Sequence, residues 1–577
     1  MSKKDSEMGL DRRQFLGGVG GVTVGALAGA GTAATLAGLA PPKAEAAEIM
    51  PDNAAQRRNR AFQIRHDAAL DEKLLGTVTH ATNGDEELFS SRIGNFSKSM
   101  PHNNLGEVDP AAYNQMLNAL ASGSFDDFEA VPQGGLQGFA NPLGGLTFSI
   151  EGPDSPAVRL PEPPPSITSA EWAAQMAELY WMAILRDVPF DEFNSHPDAL
   201  AARADLAQFS GYTGPRDPMS GEIRAQDLFR IDYPGVTDGP MVSQFVLQPF
   251  TYDGIPIEQR VSTAAPGEDF LTLYDEWLEA QRGFPGGTPG GDPRDPVLRF
   301  ARNVRDLGRT AGQDRINSQY FKATLILGFG AALLDAANPY NNSVRQGGFA
   351  TFGLAHLVEL VGKAHKSERH TWYQKWNVHR FLRPEAGGGR VHNVKVGAAD
   401  YPIHSDLIED SAVLDRIFDF NRQRNLERFG LNQGTYLLPQ LFGRGSPTHP
   451  SFPAGHAVSA GACVTILKAW YNEDLPFPDP VKVVPNADPA QQGLLLEPYV
   501  AGVDGPELTL GGELNKLAHN LSFGRDMSGV HWRADNTSGN TQGEEVAIRI
   551  LREEKETYPE PFDGFSLTKF DGTTITI

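Results

Sequence analysis

The sequence predicts an all-α protein built of packed helical bundles, and three observations carry that prediction. Several segments of the 577-residue chain repeat apolar residues at helical spacing between start and stop signals. No comparable set of alternating strands is present, and the stretches between the periodic segments are rich in Pro and Gly. With 40% hydrophobic, 9% aromatic and 21% charged residues, the composition is that of a globular protein that can bury a large core.

Taken in chain order, Thr168 and Glu171 predict a capping box, after which Trp172, Met176, Leu179, Tyr180 and Ala183 fall on one helical face. A second helix is expected from Phe270 through Leu273, Tyr274, Trp277 and Leu278 to a stop at Gly283. Ala323 to Leu334 is apolar nearly all round and too short to span a bilayer, so it reads as a buried core helix. The Pro- and Gly-rich stretches at 152–165 and 283–296 read as long surface connections. Ala457 to Trp470 is a mostly apolar run that reads as a further helix, with the single cysteine, Cys463, as one of its packing residues.

The charge balance of 50 Lys+Arg against 72 Asp+Glu, net −22, argues against nucleic acid as the main partner, because phosphate-tracking surfaces need clustered cations. One cysteine rules out an intrachain disulfide. Residues 1–46 read as a leader: Arg12-Arg13 precede an uncharged stretch from Phe15 to Ala40, and Ala44-Glu45-Ala46 has the small-x-small form of a cleavage site. This resembles a bacterial twin-arginine signal and implies a periplasmic or secreted protein with no membrane span after cleavage. Residues 47–577 are then read as one large helical domain whose motif-bearing part is 320–556.

Chemistry concentrates in three segments. Thr371 to Pro384 holds Lys375, Arg380 and Arg383 among Trp372, Tyr373, Trp376, Phe381 and His379. Lys375 and Arg383 are eight apart and share one side if a helix runs to Pro384. Taken alone, such a segment also reads as a solvated basic face. The second segment, His449-Pro450-Ser451-Phe452-Pro453-Ala454-Gly455-His456, leads into the helix at 457–470, whose open N-terminus would offer N–H groups and a positive dipole end to an anion. In the third, Ser522 to Asp535, Arg525 precedes His531 by six residues, and Asp535 follows it one turn along a helix beginning there. Lys375, Arg383 and Arg525 together supply three positive charges, two of them guanidiniums able to grip an oxyanion in bidentate fashion, with His456 and His531 flanking it.

In this order, the three segments resemble the signature of the vanadium-dependent haloperoxidases and of the acid phosphatases related to them. The Lys-Trp-x-Val-His-Arg-Phe-x-Arg-Pro wording around Lys375 is most similar to the algal and cyanobacterial bromoperoxidases. The resemblance implies helical bundles of that family's type. It further implies vanadate as cofactor, with His531 as the axial vanadium ligand and with Lys375, Arg383, Arg525 and the Gly455 N–H neutralising the equatorial oxygens. His456 would be the acid–base group at the apical position, His449 a position that bromoperoxidases fill with histidine, Trp372 a residue near the halide site, and Asp535 a partner of the ligand. Hydrogen peroxide would oxidise bromide or iodide, polarised by Lys375, to hypohalous acid that halogenates a small organic nucleophile.

A homodimer or larger assembly and, in some relatives, structural calcium also follow from the resemblance. Ala454 stands where the family usually has Ser, which removes a hydroxyl donor worth about 1.5–3 kcal/mol when its acceptor is charged, so weaker vanadate binding is expected. The alternative activity on the same rack is a vanadate-inhibited phosphatase with His531 as the phosphohistidine nucleophile and His456 as the acid. A non-catalytic oxyanion-binding protein is the third reading, with Ala454 its only support.

Overall fold

The computed structural model describes residues 53–577, apart from 161, 285, 287–290, 315–317 and 329–332; the leader at 1–46 lies outside the described residues. Helices carry most of it. The chain runs through α1 (Ala54–Leu75), α2 (Pro110–Ser122), α3 (Ala170–Ile184), α4 (Tyr274–Arg282), α5 (Val304–Gln313), α6 (Ser318–Leu327) and α7 (Leu354–Ala364). It continues through α8 (Glu368–Tyr373), α9 (Pro384–Lys395), α10 (Val413–Phe429), α11 (Gly455–Trp470), α12 (Leu510–Met527) and α13 (Arg533–Lys555). Strands occur as antiparallel two-stranded ribbons: β1 (Phe250–Tyr252) with β2 (Ile255–Ile257), β3 (Val261–Ala264) with β4 (Arg294–Arg299), β5 (Val481–Val483) with β6 (Leu496–Pro498), and β7 (Ser566–Thr568) with β8 (Thr574–Thr576). They are too short to show alternation in the sequence. Residues 53–577 form one compact unit. Among the described residues no helix is long and apolar enough to cross a membrane.

The centre of the unit is α11, α12 and α13. Every residue of α12 is buried, and so is every residue of α11 except His456. Glycines let α11 and α13 meet backbone to backbone. A Cβ on Gly461 would stand 2.0 Å from the Asn540 carbonyl, one on Gly543 2.0 Å from the Val458 carbonyl, and one on Gly539 2.7 Å from Ala457 Cβ. The N-terminal ends of both helices are joined as well, the Ala454 N–H donating to the Asp535 carbonyl at 2.9 Å. At its first residue α13 is tied to α3 by a buried ion pair in which Arg533 Nε donates to Glu178 Oε2 at 2.8 Å.

Several elements differ from expectation, each for a local reason. Ser169, not Thr168, caps α3 by accepting from the Trp172 N–H, and α3 is buried all round from Trp172 to Ala183 because α9, α10, α12 and the short helices Pro197–Leu206 and Ser405–Ile408 pack on it. The helix ending at Gly283 begins at Tyr274, since Phe270 is held in a bridge to Gln440. The apolar helix expected at 323–334 is α6, which starts at Ser318 and ends at Leu327; the rest of that run falls partly on undescribed residues. The 152–165 stretch is not a surface connection throughout: Val158 is fully buried with Val546 and Ile550 of α13. Cys463 is a buried packing residue, as expected, with its thiol pushed up by burial.

The contact at Gly543 generates a prediction. Gly543→Ala is expected to force α13 off α11 and to cost about 1–3 kcal/mol, the usual penalty for overpacking, read as a lower denaturation midpoint in urea.

Candidate functional site

Lys375 and Arg383 are not on one helix. After α8 the chain makes a π-helical turn over Gln374–His379, and Arg380 then takes a left-handed conformation with φ 40°. Its guanidinium is held there by Glu86, Nε to Oε1 at 2.8 Å, and the next residue, Phe381, bridges to Asn95. Pro384 starts α9 instead of stopping a helix, its missing N–H costing nothing at the first helical position, and Arg383 is the residue before it. The two cations are thus brought together by a turn outwards and back.

Arg383 is buried and uses three of its nitrogens. Nε donates to the His449 carbonyl at 2.9 Å, and Nη1 donates to the Val530 carbonyl at 2.7 Å and to His531 Nε2 at 2.9 Å. Arg383 Nη2 lies 2.9 Å from His449 Nδ1 and 3.2 Å from its Nε2, and His449 Nδ1 is 3.0 Å from the Pro450 carbonyl. Lys375 Nζ donates to the Pro450 and Ser451 carbonyls at 3.0 and 2.5 Å. The Phe452–Pro453 peptide bond that follows is cis.

His531 is oriented by Asp535 on the first turn of α13. His531 Nδ1 donates to Asp535 Oδ2 at 2.7 Å, and that oxygen also accepts from the Trp532 N–H at 3.1 Å and from the Ser451 hydroxyl. A proton fixed on Nδ1 leaves Nε2 as a lone pair, which makes it the nitrogen able to ligate. Arg525, on the last turn of α12, is 9% exposed, and its guanidinium has no hydrogen bond or ion pair among the described residues, its Nε being a buried unpartnered donor. At the start of α11, no side chain caps the helix behind Ala454, so the N–H groups of Gly455 and His456 stay open. Trp372 packs on His449 with ring centroids 4.8 Å apart.

The electrostatics have one sense. Burial, then the Arg383 charge, pushes Lys375 well below its ordinary value, against the pull of Asp535. Burial pushes Arg383 down to about 9 and Arg525 down to about 10. Burial and the neighbouring cations drive His531 and His449 well below the usual histidine range and His456 down to about 3, so all three rings are neutral at pH 7. Burial raises Asp535 to about 6. Cations that burial and one another destabilise, with a guanidinium left unpartnered and an uncapped helix N-terminus, fit an oxyanion of high charge beside a single nitrogen ligand. Among the described residues no group of three His, Cys, Asp or Glu side chains is placed to hold a metal ion in a cage.

Lys375, Arg383, His449, His456, Arg525, His531 and Asp535 therefore lie in one buried cluster, whereas Arg380 turns away to Glu86, and the sequence missed two contributors. Ser451 lies inside the quoted segment yet carries no signal of its own; its hydroxyl and carbonyl bind Asp535 and Lys375. Glu368 begins α8, and its carboxyl reaches the first turn of α11, 3.2 Å from where a Cβ on Gly455 would stand. Its position one turn before Trp372 and two before Lys375 was the available signal.

Comparison with known proteins finds close relatives in sequence and in fold. A family model described as the VCPO second helical-bundle domain matches residues 433–558. The chain is 38% identical over 545 residues to a vanadium-dependent bromoperoxidase of Ascophyllum nodosum, covering 90% of this chain and 92% of that one. It is 33% identical over 614 residues to the vanadium-dependent bromoperoxidase of Corallina officinalis, covering 92% and 100%. Among solved structures, the homohexameric second vanadate-dependent bromoperoxidase of Ascophyllum nodosum superposes with a TM-score of 0.83 at 34% identity over 94% of each chain.

Two outcomes are expected. Asp535→Ala frees the His531 ring and should weaken binding of inorganic phosphate to the site by about 10- to 100-fold, measured by calorimetric titration. Because burial lowers Arg383 to about 9 and depresses Lys375 as well, raising the pH strips these charges and phosphate affinity should fall as the pH passes about 9, and Lys375→Met should make the fall shallower.

Proposed function

The chain belongs to the vanadium-dependent haloperoxidases, and from that premise we propose how its own residues hold vanadate and drive the oxidation of bromide or iodide by hydrogen peroxide to hypohalous acid. The carrying observation is the unpartnered Arg525 guanidinium beside two further buried cations and the unprotonated His531 Nε2, which accepts from Arg383 Nη1. His531 Nε2, held in the right tautomer by Asp535, would be the nitrogen that ligates bound vanadate. Lys375, Arg383, Arg525 and the Gly455 N–H would neutralise its oxygens. Bound vanadate supplies a Lewis-acid centre that activates peroxide towards halide without changing its own oxidation state, so neither haem nor a redox partner is needed.

The proton work falls to His456. Neutral because of burial and then the cations around it, it can accept a proton from incoming peroxide, and a bound anion raises its affinity for that proton by offsetting those cations. Lys375 polarises the peroxide, while Trp372 and His449 form the halide side of the pocket. Hypohalous acid then halogenates whichever small organic nucleophile reaches it. Ala454 has no hydroxyl to give, so the backbone N–H groups at the start of α11 carry that share of the oxyanion contact. Assembly into a homo-oligomer accords with the homohexamer of the algal relative. Arg12-Arg13 and Ala44-Glu45-Ala46 support export by the twin-arginine route.

The test is a vanadate titration of the metal-free protein with peroxide and bromide, with a phosphate ester assayed in parallel. Saturable vanadate-dependent bromide oxidation is expected; ester hydrolysis inhibited by vanadate, without bromide oxidation, would overturn the reading. Ala454→Ser should lower half-saturating vanadate by about tenfold, the worth of one restored charge-assisted hydrogen bond. His456→Ala should abolish turnover while vanadate still binds.

A further inference from the structure

The solvent-facing end of the site carries a carboxylate that the reaction as described does not use. Glu368 opens α8 and shares a face with Trp372 and Lys375, four and seven residues on. A Cβ placed on Gly455 would meet Glu368 Oε1 at 3.2 Å and Trp372 Cζ3 at 3.5 Å, so the carboxyl lies against the N-terminal turn whose N–H groups face the oxyanion. The other oxygen, Oε2, is 3.5 Å from His365 Nε2, and His365 Nδ1 is in turn 3.2 Å from Ser459 Oγ on α11. Among the described residues Glu368 makes no closer polar contact. The ligand and rack side chains are buried, whereas the side chains of Glu368 and His365 are 24% and 28% exposed. Both side chains are thus partly open to solvent beside the Gly455 turn.

The charges around Glu368 can be named from every element packed on α8. From the 365–367 turn come His365 and Lys366, the latter turned away to pair with Glu151. From α11 comes His456, and from the π-helical turn come Lys375 and His379. On α8 itself Arg369 is exposed and His370 contacts Ser155. The turns at 142–146 and 155–157 hold no titratable side chain. Among the described residues Lys375 is therefore the cation of the site that faces Glu368.

We propose that Glu368 is an anion gate: ionised, it repels vanadate and halide at the mouth of the site, and protonated, it admits them, so anion capture is coupled to proton uptake. Burial already raises the Glu368 carboxyl, with Lys375 opposing, which places its proton loss closer to working pH than that of an exposed glutamate. An anion beside it raises it further, and by linkage the anion binds more tightly to the protonated form. Glu368 acts on affinity and not on bond making; it is a positioning and selectivity residue.

The inference rests on the assignment of the Gly455 turn to the oxyanion, and the test separates the two. Vanadate-free full-length protein is titrated calorimetrically with inorganic phosphate at pH 5 and pH 8, as wild type, E368Q, E368A and R525A. At pH 8, E368Q and E368A are expected to bind phosphate more tightly than wild type, on the order of tenfold for one unit charge a few ångströms from the anion at intermediate dielectric. At pH 5, where a raised carboxyl carries its proton more often than at pH 8, the E368Q advantage should shrink. The same ratio at both pH values, or weaker binding by both variants at pH 8, overturns the gate. Failure of R525A to weaken phosphate binding overturns the site assignment itself, and the gate with it.

Discussion

The structure depends on one close approach, that of α11 and α13. Glycines at 461, 539 and 543 bring the two backbones into contact, and no side chain larger than a hydrogen fits at those points. The N-terminal end of α11 carries Ala454, Gly455 and His456; that of α13 follows His531 and includes Asp535. Because helices are stiff, fixing the pair along their length fixes the distance between their ends. The hydrogen bond from Ala454 to the Asp535 carbonyl records the result. The oxyanion turn and the ligand histidine are thus positioned by packing well away from the chemistry.

On this frame the protein assembles a group of charges that would not gather unaided. Lys375, Arg383 and Arg525 are buried near one another, with Asp535 the leading counter-charge for the first two and Asp526 for the third, and burial lowers their proton affinities. Burying charge without full compensation is unfavourable. The surrounding fold is held by other buried ion pairs, Arg533 with Glu178 and Lys98 with Glu385, which are complete in themselves. The difference between satisfied pairs in the scaffold and an unsatisfied cluster at the site marks where the missing negative charge belongs. It also explains why three histidines within one site are all neutral, which a ligand and a proton acceptor both require.

Much of the site was legible because its chemistry demands particular residue types. No shorter or neutral side chain replaces a guanidinium in gripping an oxyanion, so Arg383 and Arg525 stood out, and His531 with Asp535 four residues on stood out as a ligand with its orienting partner. Ser451 and Glu368 did not, because serine and glutamate are common everywhere and become functional only through what they touch. The fold was legible as a class. Its exceptions came from competition between local signals and tertiary contacts: Pro384 reads as a stop but serves as a start, and Phe270 has helical periodicity but is drawn into a bridge with Gln440.

The sequence by itself determined the helical class, the oxyanion chemistry and the identity of most of the residues that perform it, since periodicity and donor type are properties of neighbours along the chain. Tertiary structure alone decided that Lys375 and Arg383 meet through a left-handed turn at Arg380, that Arg525 is left without a partner, and that a carboxylate stands at the mouth of the site. Those are relations between segments far apart in sequence, and they depend on which backbones can approach closely enough to touch.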